Sequence, residues 1–228
     1  MTKINSEYRN DALNLLRGKY QNPIIVVLIF GVINYVLGFL YTKFAPQYDY
    51  TTFQVIDPGN TTATSIINII QFLVSAGMLY SIFNMALKII KGSNFEVGEV
   101  TFSGFKEDFL RNVVLNFLVS LFTALWAILF IIPGIIKAYA YSMSFYVVNK
   151  NSNLTASEAI DRSKTYTNGY KGKIFTLDLS YLLWYILGAF TLGILWLWIY
   201  PRHMVARTLL FEDIYKSFNP EPELEEVA

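Results

Sequence analysis

Long apolar runs alternate with short polar segments along this chain. The first run, Pro23 to Tyr41, carries no charge. Others extend from about Ala63 to Leu87, from Asn112 to Ile136, and from Ile174 to Tyr200, where Asp178 is the sole ionised residue. A shorter stretch, Ile135 to Asn149, is interrupted only by Lys137. An α-helix needs about 20 residues to cross a hydrocarbon core of about 30 Å, so the longer runs read as membrane-spanning helices. Pro133-Gly134 and Thr191-Leu192-Gly193 break two of them and predict tight outer turns. The expected architecture is all-α: a polytopic helical bundle with about six transmembrane helices and both termini inside. Ile135–Asn149 is short for a span, about 22 Å at 1.5 Å per residue. It either extends past Lys150 or thins the bilayer locally.

The intervening segments have their own periodicity. Residues 6–17 read as an amphipathic helix with Ser6 as its cap, Ala12, Leu13 and Leu16 on one face, and Gly18 at its end. It either rests on the headgroups or forms a solvated arm. Residues 43–62 form a polar, turn-rich loop. Phe102, Phe105 and Phe109 recur at i, i+3 and i+7, as an interfacial helix or a helix packed beneath the bundle would require. Thr155-Ala156-Ser157-Glu158 is a capping box opening a helix over 154–168, with Leu154 stapled onto Ala159. Gly77 and Ser81, with Ala76 beside them, form a small-residue stripe that admits a close helix neighbour.

Charge decides the sidedness. Of 18 Lys and Arg, 14 fall in the N-terminal segment, in 88–111, in 150–173 or at Lys216. Positive-rich short loops stay cytoplasmic, so an even number of crossings separates these segments. The organisation is then a cytoplasmic segment 1–22, a six-span domain 23–216 with interfacial segments 88–111 and 150–173, and an acidic, disordered tail 217–228. The first run lacks a small-residue cleavage site and reads as a retained span.

Charged residues make up 15% of the chain, against about 25% for soluble domains. A water-soluble globule is thereby disfavoured. The net charge of +1 gives no field that would select nucleic acid. Cysteine is absent and His203 is the single histidine, so disulfides, thiolate chemistry and histidine-cluster metal sites cannot be built within one chain. No zincin, nucleophile-elbow or phosphate-loop motif occurs, and the one Glu-Glu pair lies in the tail. No catalytic residue, cofactor or metal is expected. Asn153-Leu154-Thr155 and Asn60-Thr61-Thr62 match the glycosylation pattern, but such triplets are common by chance.

The ionisable residues inside the last apolar region are the candidate site: Asp178, Arg202, His203 and Arg207. A charge at depth costs about 2.5–3.5 kcal/mol on insertion scales and needs a partner. In a hairpin centred on Gly193, Asp178 and Arg207 stand at similar depth and can pair. Arg202 and His203 would sit nearer mid-membrane. Arg202 and Arg207 point about 140° apart on a helix of 3.6 residues per turn. Such a group either fixes the hairpin register or lines a transport path. Asn34, Asn68, Gln71, Asn84 and Asn116 are expected to hydrogen-bond between helices.

Several stretches resemble a known family. They are Ile132-Pro133-Gly134-Ile135-Ile136-Lys137-Ala138-Tyr139-Ala140-Tyr141-Ser142-Met143, then Ala156-Ser157-Glu158-Ala159-Ile160 with Arg162-Ser163 and Gly169. Leu192-Gly193-Ile194 leading to Trp198 and Pro201, Gly104-Phe105-Lys106, and Ala12-Leu13 to Leu16-Arg17-Gly18-Lys19 belong to the same pattern. They are similar to the bacterial integral-membrane family called domain of unknown function 975. The pair Arg202-His203 after Pro201 departs from its pattern. The resemblance implies a multi-span protein of a bacterial plasma membrane. It supplies no catalytic or binding residues.

Two function classes fit. One is a non-enzymatic scaffold, accessory or self-protection factor of the envelope, whose partners are the lipid bilayer and another membrane protein. The other is a small permease or channel-like transporter for an unidentified small molecule, using the last hairpin. Because the chain has no cysteine, Leu192→Cys and Lys216→Cys test the topology directly in intact cells. An impermeant thiol reagent should label position 192 only. Labelling at 216 would refute the final hairpin.

Overall fold

A computed structural model describes residues 2–49 and 51–220. Ten helices and one small hairpin of strands follow in chain order: α1 (Asn5–Leu16), α2 (Gln21–Phe44), β1 (Gln47–Tyr48), β2 (Val55–Asp57), α3 (Thr61–Ile90), α4 (Val97–Lys106), α5 (Phe109–Leu129), α6 (Ile131–Tyr141), α7 (Ser144–Lys150), α8 (Ala156–Thr167), α9 (Lys171–Phe190) and α10 (Trp196–Phe218). Among the described residues, five segments are long and apolar enough to cross a membrane: Gln21–Phe44, Thr61–Ile90, Phe109–Leu129, Ile131–Lys150 and Lys171–Phe190. The architecture is an all-α helical bundle with the character of a membrane protein. The sixth expected span, α10, is a continuous helix but stands outside that set. Arg202, His203, Arg207, Glu212 and Asp213 lower its apolar content.

The first hairpin turns at a different place from the one expected. α5 ends at Leu129, and Phe130 alone is extended (φ −157°, ψ 133°) before α6 begins at Ile131. Pro133 therefore lies in the first turn of α6, where its missing N–H leaves no helical bond unmade. Gly134 packs on the preceding helix: a Cβ there would lie 2.7 Å from the Ala127 Cα. The second arm starts at Ile131 rather than Ile135. Through α7 it reaches 20 residues, about 30 Å, so no local thinning is required. The second hairpin turns where expected, with Leu192 and Gly193 both at positive φ between α9 and α10. Both tips are apolar and open: Ile131 is 75% exposed and Leu192 95%. Water would penalise such tips, whereas hydrocarbon solvates them.

The amphipathic segments are built into the bundle. Ile4, not Ser6, precedes the first turn of α1, and Glu7 accepts a hydrogen bond from the Ile4 amide at 2.8 Å. Tyr8, Ala12 and Leu16 are buried, while Leu13 is exposed. α1 packs on α10, where the Tyr8 hydroxyl donates to Asp213 at 2.7 Å. Burial and that carboxylate push the Tyr8 hydroxyl above its ordinary pKa. The apolar face of the helix is thus covered by protein rather than left as a free arm. α8 opens with the expected capping box, Thr155 and Glu158 bonding reciprocally. Those bonds hold the Glu158 carboxyl below its ordinary pKa. The polar loop 43–62 holds the antiparallel β1–β2 pair, and Asn60 caps α3. Residues 221–228, most of the acidic tail, lie outside the described residues, and α10 continues through Phe218.

α3 has two environments. Ile66, Ile69 and Ile70 on its first half are exposed, whereas Tyr80, Ile82, Phe83, Met85, Ala86 and Leu87 are buried. Phe83 stacks on Phe211 with centroids 6.0 Å apart, and Tyr146 meets both rings edge-on. The small-residue stripe receives α4. The Ser81 hydroxyl donates to the Thr101 carbonyl and accepts from the Gly104 amide, each at 3.0 Å. Phe105 lies over Gly77 and stacks on Phe109, while Phe102 is exposed. Asn116 reaches across to Ser75 at 2.9 Å, and Asn34 meets Met78. Among the five polar residues considered, these two bond between helices; Asn68, Gln71 and Asn84 have no such bond among the described residues.

A Cβ on Gly104 would fall 2.0 Å from the Gly77 carbonyl oxygen. Gly104→Ala should therefore separate α4 from α3 and destabilise the protein by about 1–3 kcal/mol, as overpacking does. Thermal unfolding in detergent measures this. Gly98→Ala, at an open position on the same helix, should leave the midpoint nearly unchanged.

Candidate functional site

The last hairpin brings together three of the four ionisable residues picked out by sequence. Asp178 lies on α9, and His203 and Arg207 lie one turn apart on α10. The His203 Nε2 stands 2.8 Å from the Asp178 Oδ1, and the Arg207 Nη1 stands 3.6 Å from the Oδ2. His203, rather than Arg207, is thus the close partner of Asp178. The hairpin-centred register put Arg207 opposite Asp178 and left His203 nearer mid-membrane. Side chains i and i+4 share a helix face, so His203 and Arg207 approach one carboxylate together.

The imidazole is held on both sides. Its Nδ1 lies 3.0 Å from the Tyr185 hydroxyl. With the ring proton on Nε2, Asp178 accepts one hydrogen bond and Nδ1 accepts another from Tyr185; the network assigns this tautomer. The Tyr181 ring stacks on the imidazole at 4.6 Å and 26°. Arg207 places its guanidinium over the Phe211 ring at 5.5 Å. Asp178, Tyr181 and Tyr185 follow the i, i+3, i+7 spacing of one α9 face. That spacing was the signal that could have found the two tyrosines.

Arg202 turns elsewhere. It lines a cavity of about 280 Å³ with Arg9 of α1, Tyr20, Tyr181, Trp184 and Trp198. Its Nε is buried and has no hydrogen-bond partner among the described residues. Two further polar groups were not anticipated. Glu212 accepts from the Tyr146 hydroxyl and from Lys150, both at 2.7 Å, and the Tyr80 hydroxyl donates to Glu107 at 2.6 Å. They join α7 to α10 and α3 to the end of α4. A wider, largely apolar cavity of about 660 Å³ runs between α2 and the hairpin, bordered by Phe30, Met78, Tyr185, Trp196 and Tyr200. No group of three or more metal-ligating side chains occurs among the described residues.

The chemistry of the network is mutual neutralisation. One carboxylate faces an imidazole and a guanidinium in a site where its side chain is 17% exposed. Breaking such a pair from one side strands the other charge, at about 3–5 kcal/mol. Asp178→Asn should therefore lower stability by about that amount in detergent. Because the two groups touch, adding His203→Gln to Asp178→Asn should cost less than the two single losses combined. Thermal or denaturant unfolding of the four proteins measures the coupling, and strictly additive losses would rule the pair out as a stabilising unit.

The comparisons with known proteins meet this geometry at the level of family. No curated protein and no solved structure matches the chain. A family model described as "Protein of unknown function (DUF975)" matches residues 1–138 and 128–217. Its reach takes in α1, both hairpins and the buried Asp178–His203–Arg207 network, and the chain belongs to the DUF975 family.

Proposed function

We propose that this protein is a non-enzymatic scaffold or accessory factor, holding or protecting a partner membrane protein in the cell envelope. The observation that carries this reading is the engagement of Asp178 and His203 by partners within the last hairpin. Both Asp178 oxygens and both His203 nitrogens have partners within the protein. A buried charge so enclosed ties two helices in register. It is spent on holding the hairpin rather than on meeting a solute. We set the protein in the plasma membrane of a bacterium, with six spans and both termini inside, as the family resemblance and the positive-inside pattern suggest.

A permease is the second reading, and one observation favours it. Tyr185, His203 and Asp178 form a hydrogen-bonded line of titratable groups between α9 and α10. Lines of that kind conduct protons in pumps and transporters. Proteoliposomes decide between the two. Under the scaffold reading, vesicles holding the purified protein should keep an imposed pH gradient as long as protein-free vesicles, measured with an enclosed pH-sensitive dye. They should also show no gradient-driven solute uptake. A wild-type leak or uptake that Asp178→Asn removes, with the fold intact by circular dichroism, would overturn the scaffold reading in favour of transport.

A further inference from the structure

Two arginines on helices at opposite ends of the sequence line one cavity, and nothing among the described residues neutralises them. Arg9 comes from α1 and Arg202 from α10, and both border the cavity of about 280 Å³ between α1, α9 and α10. Among the described residues neither makes an ion pair, and the Arg202 Nε is buried without a hydrogen-bond partner. No carboxylate among the described residues lines the cavity, and Asp178 of the same hairpin is already engaged by His203 and Arg207. Like charges brought together in a partly desolvated site repel unless an anion sits between them. The rest of the lining suits such a guest. Tyr20 and Asn10 add neutral donors, and Trp184 and Trp198 are the amphipathic rings that gather at headgroup depth.

We propose that this cavity is a binding site for a phosphoryl anion, gripped by the Arg9 and Arg202 guanidiniums. Planar guanidiniums match phosphate oxygens in bidentate fashion, so a pair of arginines from separate helices fits this chemistry better than it fits a lone carboxylate. A membrane offers that group as an anionic lipid headgroup, and the cytoplasm offers it as free phosphate. The site does not depend on the scaffold reading, since a permease could carry it equally well.

The test uses the full chain in an uncharged maltoside detergent, with unfolding followed by tryptophan fluorescence. Three probes are titrated: phosphatidylglycerol, phosphatidylcholine, and inorganic phosphate against chloride at equal ionic strength. Phosphatidylglycerol or inorganic phosphate should raise the midpoint saturably. Arg202→Gln and Arg9→Gln should each raise the half-saturating concentration at least tenfold, while Lys137→Gln, beside Trp126 on the other hairpin, should leave it unchanged. Should Arg202→Gln fail to fold, Arg9→Gln still reads the site, because its side chain bonds to no other described residue. Saturation by phosphatidylglycerol alone assigns the anion to a lipid headgroup, and saturation by inorganic phosphate as well assigns it to any phosphate. A wild-type midpoint that no probe moves, or a response that survives both arginine substitutions, would overturn the proposal.

Discussion

A carboxylate buried two turns inside an apolar helix has to be answered from within the protein, and that demand organises the last third of the fold. Asp178 is met by His203 at 2.8 Å and by Arg207 at 3.6 Å. Helical spacing lets one face of α10 supply both. Their approach in turn fixes how far α10 slides along α9. Tyr181 stacked on the imidazole and Tyr185 bonded to its far nitrogen leave the ring little freedom. Pro201, inside α10 and just before these residues, is tolerated because the helix around it is packed on several sides. Lipid alone would not have kept α10 in place, since its charged residues make it the least apolar of the long helices.

The same principle operates more gently elsewhere. Where α4 lies against α3, the contact depends on the absence of side chains at Gly77 and Gly104 and on one hydroxyl, Ser81, that serves both as donor and as acceptor. Tyr146 and Lys150 do for Glu212 what His203 and Arg207 do for Asp178. The first of these seams joins a long apolar helix to a shorter one, and the second ties α7 to α10. The result is a set of exposed apolar surfaces suited to hydrocarbon, fastened to a second region where α3 is enclosed by protein.

The long helices were legible because charge is excluded from a hydrocarbon-spanning run, a constraint that any sequence reading registers. The turn after α5 was misplaced because Pro and Gly were taken for the turn itself. Proline at the head of a helix marks the residue after the bend, and the bend belongs to Phe130. The Asp178–Arg207 pairing was legible to within one helical turn. The choice of His203 as the nearer partner was not, because hairpin geometry from residue counting assumes ideal, parallel axes. The amphipathic faces of α1 and α4 were visible as faces. Their sequence could not say whether lipid or protein covers them, since both present an apolar surface.

The docking of α1 on α10 has a consequence for how the chain is made. Synthesis runs from the N-terminus, so α1 emerges first and its partner last. α3 and α9 offer α1 part of its packing surface, but most of it is absent until α10 has left the ribosome. The docking of α1 on α10 therefore comes late in assembly, and a chain that stops before α10 leaves the packing face of α1 largely uncovered.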